Sequence, residues 1–331
     1  MKTKVAVLGG GTGNFTVLSG LKMYKPLDLS AVVSMVDDGG STGILRNEFG
    51  ILPPGDVRQC MIAMSEESEL VQRLFQFRFS GSIGNHSFGN LFHLALSEIT
   101  GSEERAILEM SRILKITGRV VPVTLENIRL KAELEDGTVV VGETNIDLPK
   151  HDPDLRIRRL FLDTPAKANP KALSAIQTAE CLIISPGDLF TSTLPNFIVD
   201  GIADAFVSSS ALKIYVCNLM TKRGETTDFS AADHVRELHR YLGKRCIGAV
   251  IVNSVTLPNA QIEDYAREGS HPVRYDVGSL LEEGVQMVVE SDVANANALI
   301  RHDSNKVAWE IFKLVQEHKQ RYRQPSRITM Q

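Results

Sequence analysis

Two short apolar runs near the N-terminus each stop at a glycine-rich loop, and this pairing constrains the fold most. Lys4-Val5-Ala6-Val7-Leu8 breaks into Gly9-Gly10-Gly11-Thr12-Gly13-Asn14. Ala31-Val32-Val33-Ser34-Met35-Val36 breaks into Asp37-Asp38-Gly39-Gly40-Ser41-Thr42-Gly43. Each reads as a strand ending at a turn whose backbone N–H groups can approach an anion with no Cβ in the way. Hydroxyls add donors, and the paired carboxylates suit ribose hydroxyls or a divalent ion. Two such loops at neighbouring strand ends predict a nucleotide site.

Beyond these runs, strands are expected at Cys181–Ile184, Lys213–Cys217, Ala249–Asn253 and Gln286–Val289. Helical spacing is found over Phe15–Met23, Asp56–Met64, Glu69–Phe77, Asn90–Ile99, Glu103–Leu114, Thr193–Ser208, Ala231–Leu242 and Asn305–Arg321. Such alternation predicts an α/β fold: a Rossmann-like, mostly parallel sheet with helices on both faces. Val120–Ile146 departs from the rhythm. Ile128–Leu134 and Thr138–Val141 flank Asp136-Gly137, a signal for a small antiparallel β-hairpin insertion. The expected organisation is a single domain over 1–322, an insertion at about 120–146 and a frayed polar tail over 323–331. The insertion would serve as a lid, an edge or a dimer contact, so a homo-oligomer is one expectation.

Charge narrows the function classes. The 331 residues carry 36 basic and 40 acidic side chains, a net −4, so nothing draws the chain generally to nucleic acid or anionic membrane. Any anion site must be local. Cys60, Cys181, Cys217 and Cys246 are far apart, which argues against a disulfide framework or a zinc site. No apolar stretch is long enough for a membrane span, and the chain opens directly on a strand; a cytoplasmic protein is expected.

The first loop is neither known phosphate fingerprint. The third glycine of G-x-G-x-x-G falls on Asn14 or Thr16, and no Gly-Lys-Ser/Thr follows. NAD(P)-dependent reduction is thereby disfavoured. Asp37-Asp38 suits a ribose, a Mg²⁺ ion or a helix cap. Pro53-Pro54-Gly55-Asp56-Val57-Arg58 puts Asp56 at a helix start and Arg58 one turn in, able to meet phosphate or a carboxylate. Asn85-His86-Ser87-Phe88-Gly89-Asn90 is dense in hydrogen-bonding side chains; no nucleophile is spaced beside His86 or His93, so structural histidines are expected. Ser185-Pro186-Gly187-Asp188 follows a strand and opens a helix, repeating the first loop's physics, while Asp188 would repel a phosphate set directly against it. Asn218 ends the next strand, and Arg301 offers a late cation.

Taken in order, the glycine loop at 9–13, the acidic loop at 37–43, Pro53–Arg58, Gly84-Asn85, Gly89-Asn90, Pro186-Gly187, Cys217–Thr221 and Gly224-Glu225-Thr226 resemble the gluconeogenesis factor (YvcK-type) family. The broader superfamily includes CofD, the 2-phospho-L-lactate transferase of deazaflavin cofactor synthesis. The resemblance implies a cytosolic bacterial protein that binds UDP-sugars, chiefly UDP-N-acetylglucosamine. It further implies a role in cell morphogenesis and wall growth on gluconeogenic carbon, with a protein partner in wall synthesis. It requires no cofactor. The ligand-binding set is Gly10, Gly11, Thr12, Gly13, Asn14, Asp37, Asp38, Ser41, Thr42, Arg58, Asn85, Asn90, Pro186, Gly187, Asp188, Asn218 and Arg301. Aspartates in the corresponding loops of the transferases hold a metal, which implies Asp37, Asp38 and Asp56 as Mg²⁺ ligands. The alternative function is therefore a Mg²⁺-dependent transferase acting on a nucleotide diphosphate substrate. The family usually has Pro-Gly-Ser where this chain has Pro186-Gly187-Asp188.

Overall fold

The computed structural model describes residues 2–81, 84–295, 297 and 299–323. Strand and helix alternate from β1 (Thr3–Gly9) through α1 (Gly11–Leu21), β2 (Leu27–Val33), α2 (Gly40–Phe49), α3 (Pro54–Met64), α4 (Glu69–Gln76), α5 (Phe88–Thr100) and α6 (Glu103–Ile113) to β3 (Arg119–Pro122). A side layer follows, made of β4 (Leu130–Leu134), β5 (Val139–Val141), α7 (Glu143–Asp147) and β6 (Ile157–Leu162). The alternation resumes with α8 (Pro170–Thr178), β7 (Cys181–Ile184), α9 (Ile202–Ser208), β8 (Leu212–Val216), α10 (Ala231–Leu242), β9 (Ala249–Asn253), α11 (Asn259–Arg267), α12 (Val277–Glu282) and β10 (Met287–Ser291). A short ladder of β11 (Ala294–Asn295) with β12 (Arg301–His302) leads into α13 (Ser304–Arg323).

Seven strands form one sheet in the order β10-β9-β8-β7-β1-β2-β3, every neighbour parallel. Val5, Ala6, Val7 and Leu8 of β1 are all buried, as a strand covered on both faces requires. Helices α1, α3 and α13 pack together, and α8 packs with α9 and α9 with α10. Val307, Ile311, Leu314 and Val315 form the buried stripe of α13, as their spacing predicts. From β1 the chain builds outward to β2 and β3, then crosses back to β7 on the other side. The switch in direction therefore falls between β1 and β7, where parallel sheets open a crevice beyond their carboxyl ends.

Three local expectations need correction. Val120–Pro122 belongs to the main sheet as β3, so the insertion starts later, near Ile128. That insertion is a three-stranded antiparallel sheet, β5-β4-β6, reaching Leu162 rather than a lone hairpin. The Leu160 N–H donates to the Tyr241 hydroxyl at 2.7 Å and so pins β6 to α10. The helix expected over Thr193–Ser208 is broken. A π turn at Leu189–Thr193 passes into a 3₁₀ turn at Leu194–Asn196, and α9 starts only after Gly201, whose φ of 90° is left-handed. Pro195 has no N–H to continue the first helix, and the Asn196 amide takes up the Ser192 and Thr193 carbonyls. Helix α13 continues through Arg323; the rest of the predicted tail, 324–331, lies outside the described residues.

Candidate functional site

A cleft of about 480 Å³ opens above the β1–β7 switch. Its floor is the start of α1, with Gly11, Thr12 and Gly13, and one wall is Pro186-Gly187-Asp188 after β7. Helix α1 has Gly10 as its N-cap with no side-chain bond; its Gly11 N–H turns to the Asp56 carboxylate, and the N–H groups of Thr12 and Gly13 are left for another partner. The glycines are not there for left-handed backbone, since none of Gly9, Gly10, Gly11 and Gly13 has positive φ. They are there for closeness. A Cβ on Gly13 would stand 1.6 Å from the Pro186 carbonyl oxygen, and one on Gly11 would stand 2.4 Å from Asp56 Oδ1. The two strand-end loops and Asp56 thus meet only because these positions lack side chains. Arg301 reaches the cleft from β12 and is exposed, with no ion pair among the described residues. Beside it, the His302 Nε2–H donates to the Cys217 carbonyl oxygen at 3.0 Å. Burial pushes the His302 imidazole down to about 4, so it is neutral at physiological pH.

Asp188, expected to repel a phosphate, is neutralised from within. Lys222 Nζ lies 2.8 Å from its carboxylate and 3.2 Å from that of Glu225, and also pairs with Asp147. Among the described residues Asp147, Asp188 and Glu225 are a triad spaced closely enough to hold a metal ion, and the Lys222 ammonium sits among them. Burial opposes the charge on Lys222, but the Glu225, Asp188 and Asp147 carboxylates prevail and raise its pKa. Glu225 also accepts from the Phe190 N–H at 2.9 Å and the Thr191 hydroxyl at 3.1 Å. The network therefore anchors the π turn that shapes the cleft wall.

A second cleft, also about 480 Å³, lies on the β2 side and shares Asp56 with the first. Asp37, Ser41, Thr42, Arg58, Asn85 and Asn90 line it. Asp37 comes from the loop after β2, which Arg46 holds by donating to the Asp37 carbonyl at 3.3 Å and to Asn127 at 2.8 Å. Burial, with Asp37 beside it, pushes the Asp56 carboxyl up to about 7, and burial likewise raises Asp37. Glu143, at the start of α7, is pushed up to about 9 by burial and by Asp37, Asp147, Asp38 and Asp56. These carboxyls face one another without the internal cation that Lys222 provides next door.

The structure thus sorts the predicted residues. Gly11, Thr12, Gly13, Pro186, Gly187, Asp188, Asn218 and Arg301 border the first cleft, with Asp56 between the two. Gly10, Asn14 and Asp38 border neither. Asn14 is buried, and its amide lies 3.4 Å from the carbonyls of Gly9 and Val32, a brace between α1 and two strands. The Asp38 carboxylate turns toward α7, accepting from the N–H groups of Glu143 and Thr144 at 3.2 and 2.9 Å and from the Thr144 hydroxyl at 2.8 Å. Asn218 faces the cleft but spends its amide on Gly187, donating to that carbonyl at 2.7 Å. His93 is buried against Glu103 at 2.8 Å, a structural histidine as expected. Lys222, Tyr265, Glu268 and His302 also line the first cleft and were not anticipated. Lys222 follows Met220-Thr221 directly and was within reach of a motif reading; Tyr265 and Glu268 arrive from α11 and its C-cap with no local signal.

Comparison with known proteins agrees with this architecture. The profile of 2-phospho-L-lactate transferase CofD matches residues 5–293. The chain is 42% identical over 320 residues to the gluconeogenesis factor of Bacillus subtilis (strain 168), covering 96% of this chain and 99% of that one. It is 39% identical over 313 residues to the gluconeogenesis factor of Listeria innocua serovar 6a, covering 93% and 94%. A crystal structure of a UPF0052 family protein from Bacillus halodurans superposes with a TM-score of 0.89 at 38% identity, covering 94% of this chain and 99% of that one. By sequence and by fold, then, this chain belongs to the CofD family, in its gluconeogenesis-factor branch.

Proposed function

We propose that the first cleft binds a UDP-sugar, UDP-N-acetylglucosamine or UDP-glucose, and that the protein is a regulator of cell morphogenesis and wall growth under gluconeogenic conditions. One observation carries the ligand class: the start of α1, where the Thr12 and Gly13 N–H groups are unpaired among the described residues, opens into a cleft at the sheet's switch point, with Arg301 at its lip. Orphan amides at a positive helix end suit a diphosphate, and a guanidinium adds a charge-assisted clamp. Next to it, sharing Asn218 and Leu219, lies a smaller cavity of about 180 Å³ walled by Val252, Leu257, Ile262, Val273 and Tyr275. An apolar recess beside a phosphate cradle suits a nucleobase. The Lys222 pair removes the charge objection raised by Asp188. The gluconeogenic part of the proposal draws on the names of the relatives.

A second reading, a Mg²⁺-dependent transferase, draws support from the second cleft meeting the first at Asp56. Asp37 and Asp56 suit the ion: both are hard oxygen donors whose pKa burial raises, and Asp37 lies close enough to Asp56 to raise it further. Asp38 does not suit it, because α7 already uses its carboxylate. A bound Mg²⁺ would neutralise charge on a diphosphate. The chain's own part in such a reaction is to hold the diphosphate on the α1 amides and Arg301.

Calorimetry with UDP-N-acetylglucosamine, UDP-glucose, GDP and NAD, with and without Mg²⁺, tests both readings. Selective binding of intact UDP-sugar, weakened about tenfold in Arg301→Gln, is expected of the regulator. Recovery of cleaved ligand moves the protein to the transferase reading, and binding of none of the four defeats both.

A further inference from the structure

The second cleft carries charges of both signs. Asp37 and Asp56 line it together with Arg58 and Arg78. Arg58 is only 5% exposed, and its placement is built rather than incidental. Its stem lies across Gly89, where a Cβ would come within 2.4 Å of Arg58 Cδ. Its Nε donates to Asn90 Oδ1 at 2.8 Å. The Asn90 amide donates to Ser41 Oγ at 3.0 Å, and Ser41 Oγ lies 2.9 Å from His86 Nδ1. This chain fixes the guanidinium plane from one side. The terminal nitrogens of Arg58 have no hydrogen bond or ion pair among the described residues, and they border the cleft.

A further feature points the same way. Helix α2 has Gly39 as its N-cap without a side-chain cap, and its first residues, Gly40, Ser41 and Thr42, line the cleft. Ten residues long, it presents its first N–H groups at a positive end, beside the Asp37 carboxylate, which accepts from the Gly39 N–H at 3.0 Å.

We propose that the second cleft is a separate site for a small hydroxylated organic phosphate, its phosphate on Arg58 and the α2 amides and its hydroxyls toward Asp37. A planar guanidinium with its outer nitrogens free suits phosphate, and carboxylates suit hydroxyl donors. This site does not depend on the first cleft taking a UDP-sugar, and its ligand sits beside that of the first cleft rather than in place of it.

The test titrates the full chain with inorganic phosphate, sn-glycerol 3-phosphate and glucose 6-phosphate, followed by calorimetry and ³¹P NMR. All three bind the wild type, the two organic phosphates about tenfold more tightly than inorganic phosphate. Arg58→Gln weakens all three by about tenfold or more, and Arg58→Lys, which keeps the charge but loses the fork, falls between. Asp37→Asn weakens only the organic phosphates. Circular dichroism verifies that each variant is folded, and Arg78→Gln provides a second, exposed probe should Arg58→Gln fail to fold. Repeating the titration with UDP-N-acetylglucosamine present separates the sites, since phosphate lodged on the α1 amides would be displaced. Absence of binding, binding unchanged in folded Arg58→Gln, or full displacement by the nucleotide would each overturn the proposal.

Discussion

Two carboxylate clusters adjoin in this molecule, and only one of them carries a lysine of its own. Asp147, Asp188 and Glu225 surround Lys222, whose side chain is 27% exposed. Asp37, Asp56 and Glu143 have no such cation, and their carboxyls rise toward the neutral form. The difference teaches which cluster is structural. Burial raises the Glu225 carboxyl to about 7 even in the first cluster, but that cluster carries its own lysine and holds the turn at Leu189–Thr193 through Glu225. The second is left in need of protons, a metal ion or a ligand, and such unmet charge marks functional sites.

The sharpest way to break the comparison is Lys222→Met. It strips three carboxylates of their shared cation, and removing one partner from such a network costs about 4 kcal/mol. Urea unfolding should show the loss as a shifted midpoint with an unchanged slope. Adding Glu225→Gln to the same chain should return part of it, because the buried carboxylate then carries no charge. A midpoint within error of the wild type would show that the network is not what holds the wall.

Asp56→Asn tests the other cluster and should act with the opposite sign. The folded-state pKa of Asp56 is raised from 3.8 to about 7. An acid raised by folding carries no penalty below its unfolded pKa; the penalty grows as pH climbs and is complete above the folded pKa. The variant should therefore gain on the wild type by about 2–3 kcal/mol between about pH 5 and about pH 8. Mg²⁺ should stabilise the wild type at the upper pH and do so less in the variant. A flat pH difference would mean that Asp56 is already compensated, and the contrast with the Lys222 cluster would disappear.

How far these clusters could be read in advance depends on where their residues come from. Strand ends are legible because an apolar run stopping at glycine states both the element and its exit. That is why Asp37, Asp56 and the Pro186-Gly187-Asp188 wall are visible from the chain alone. Strand β3 escapes notice because Arg119–Pro122 is four residues long and ends in proline, with nothing periodic to read. Strand β6 lies beyond a loop of polar residues and pairs with β4 only through tertiary contact, so the insertion reads as a hairpin when it is a sheet of three. The Lys222 network is non-local, its partners lying 75, 34 and 3 residues away, and no spacing rule announces it. Asp38 is the instructive miss. Side by side in the sequence, Asp37 and Asp38 look interchangeable, but successive residues of an extended segment point to opposite sides.

Asp38→Ala makes that last distinction measurable. Its carboxylate accepts from two backbone N–H groups and one hydroxyl at the start of α7, on which Glu143 and Asp147 ride. Replacing an acceptor at a helix start by alanine costs about 1 kcal/mol, so the unfolding midpoint should fall slightly. Because Asp38 borders neither cleft, the response of stability to Mg²⁺ should survive in this variant while it weakens in Asp37→Asn. Equal loss of the Mg²⁺ response in both would mean that the ion draws Asp38 away from α7. The acidic loop would then be a three-carboxylate site that assembles around its cation, and the insertion carrying α7 would move with it.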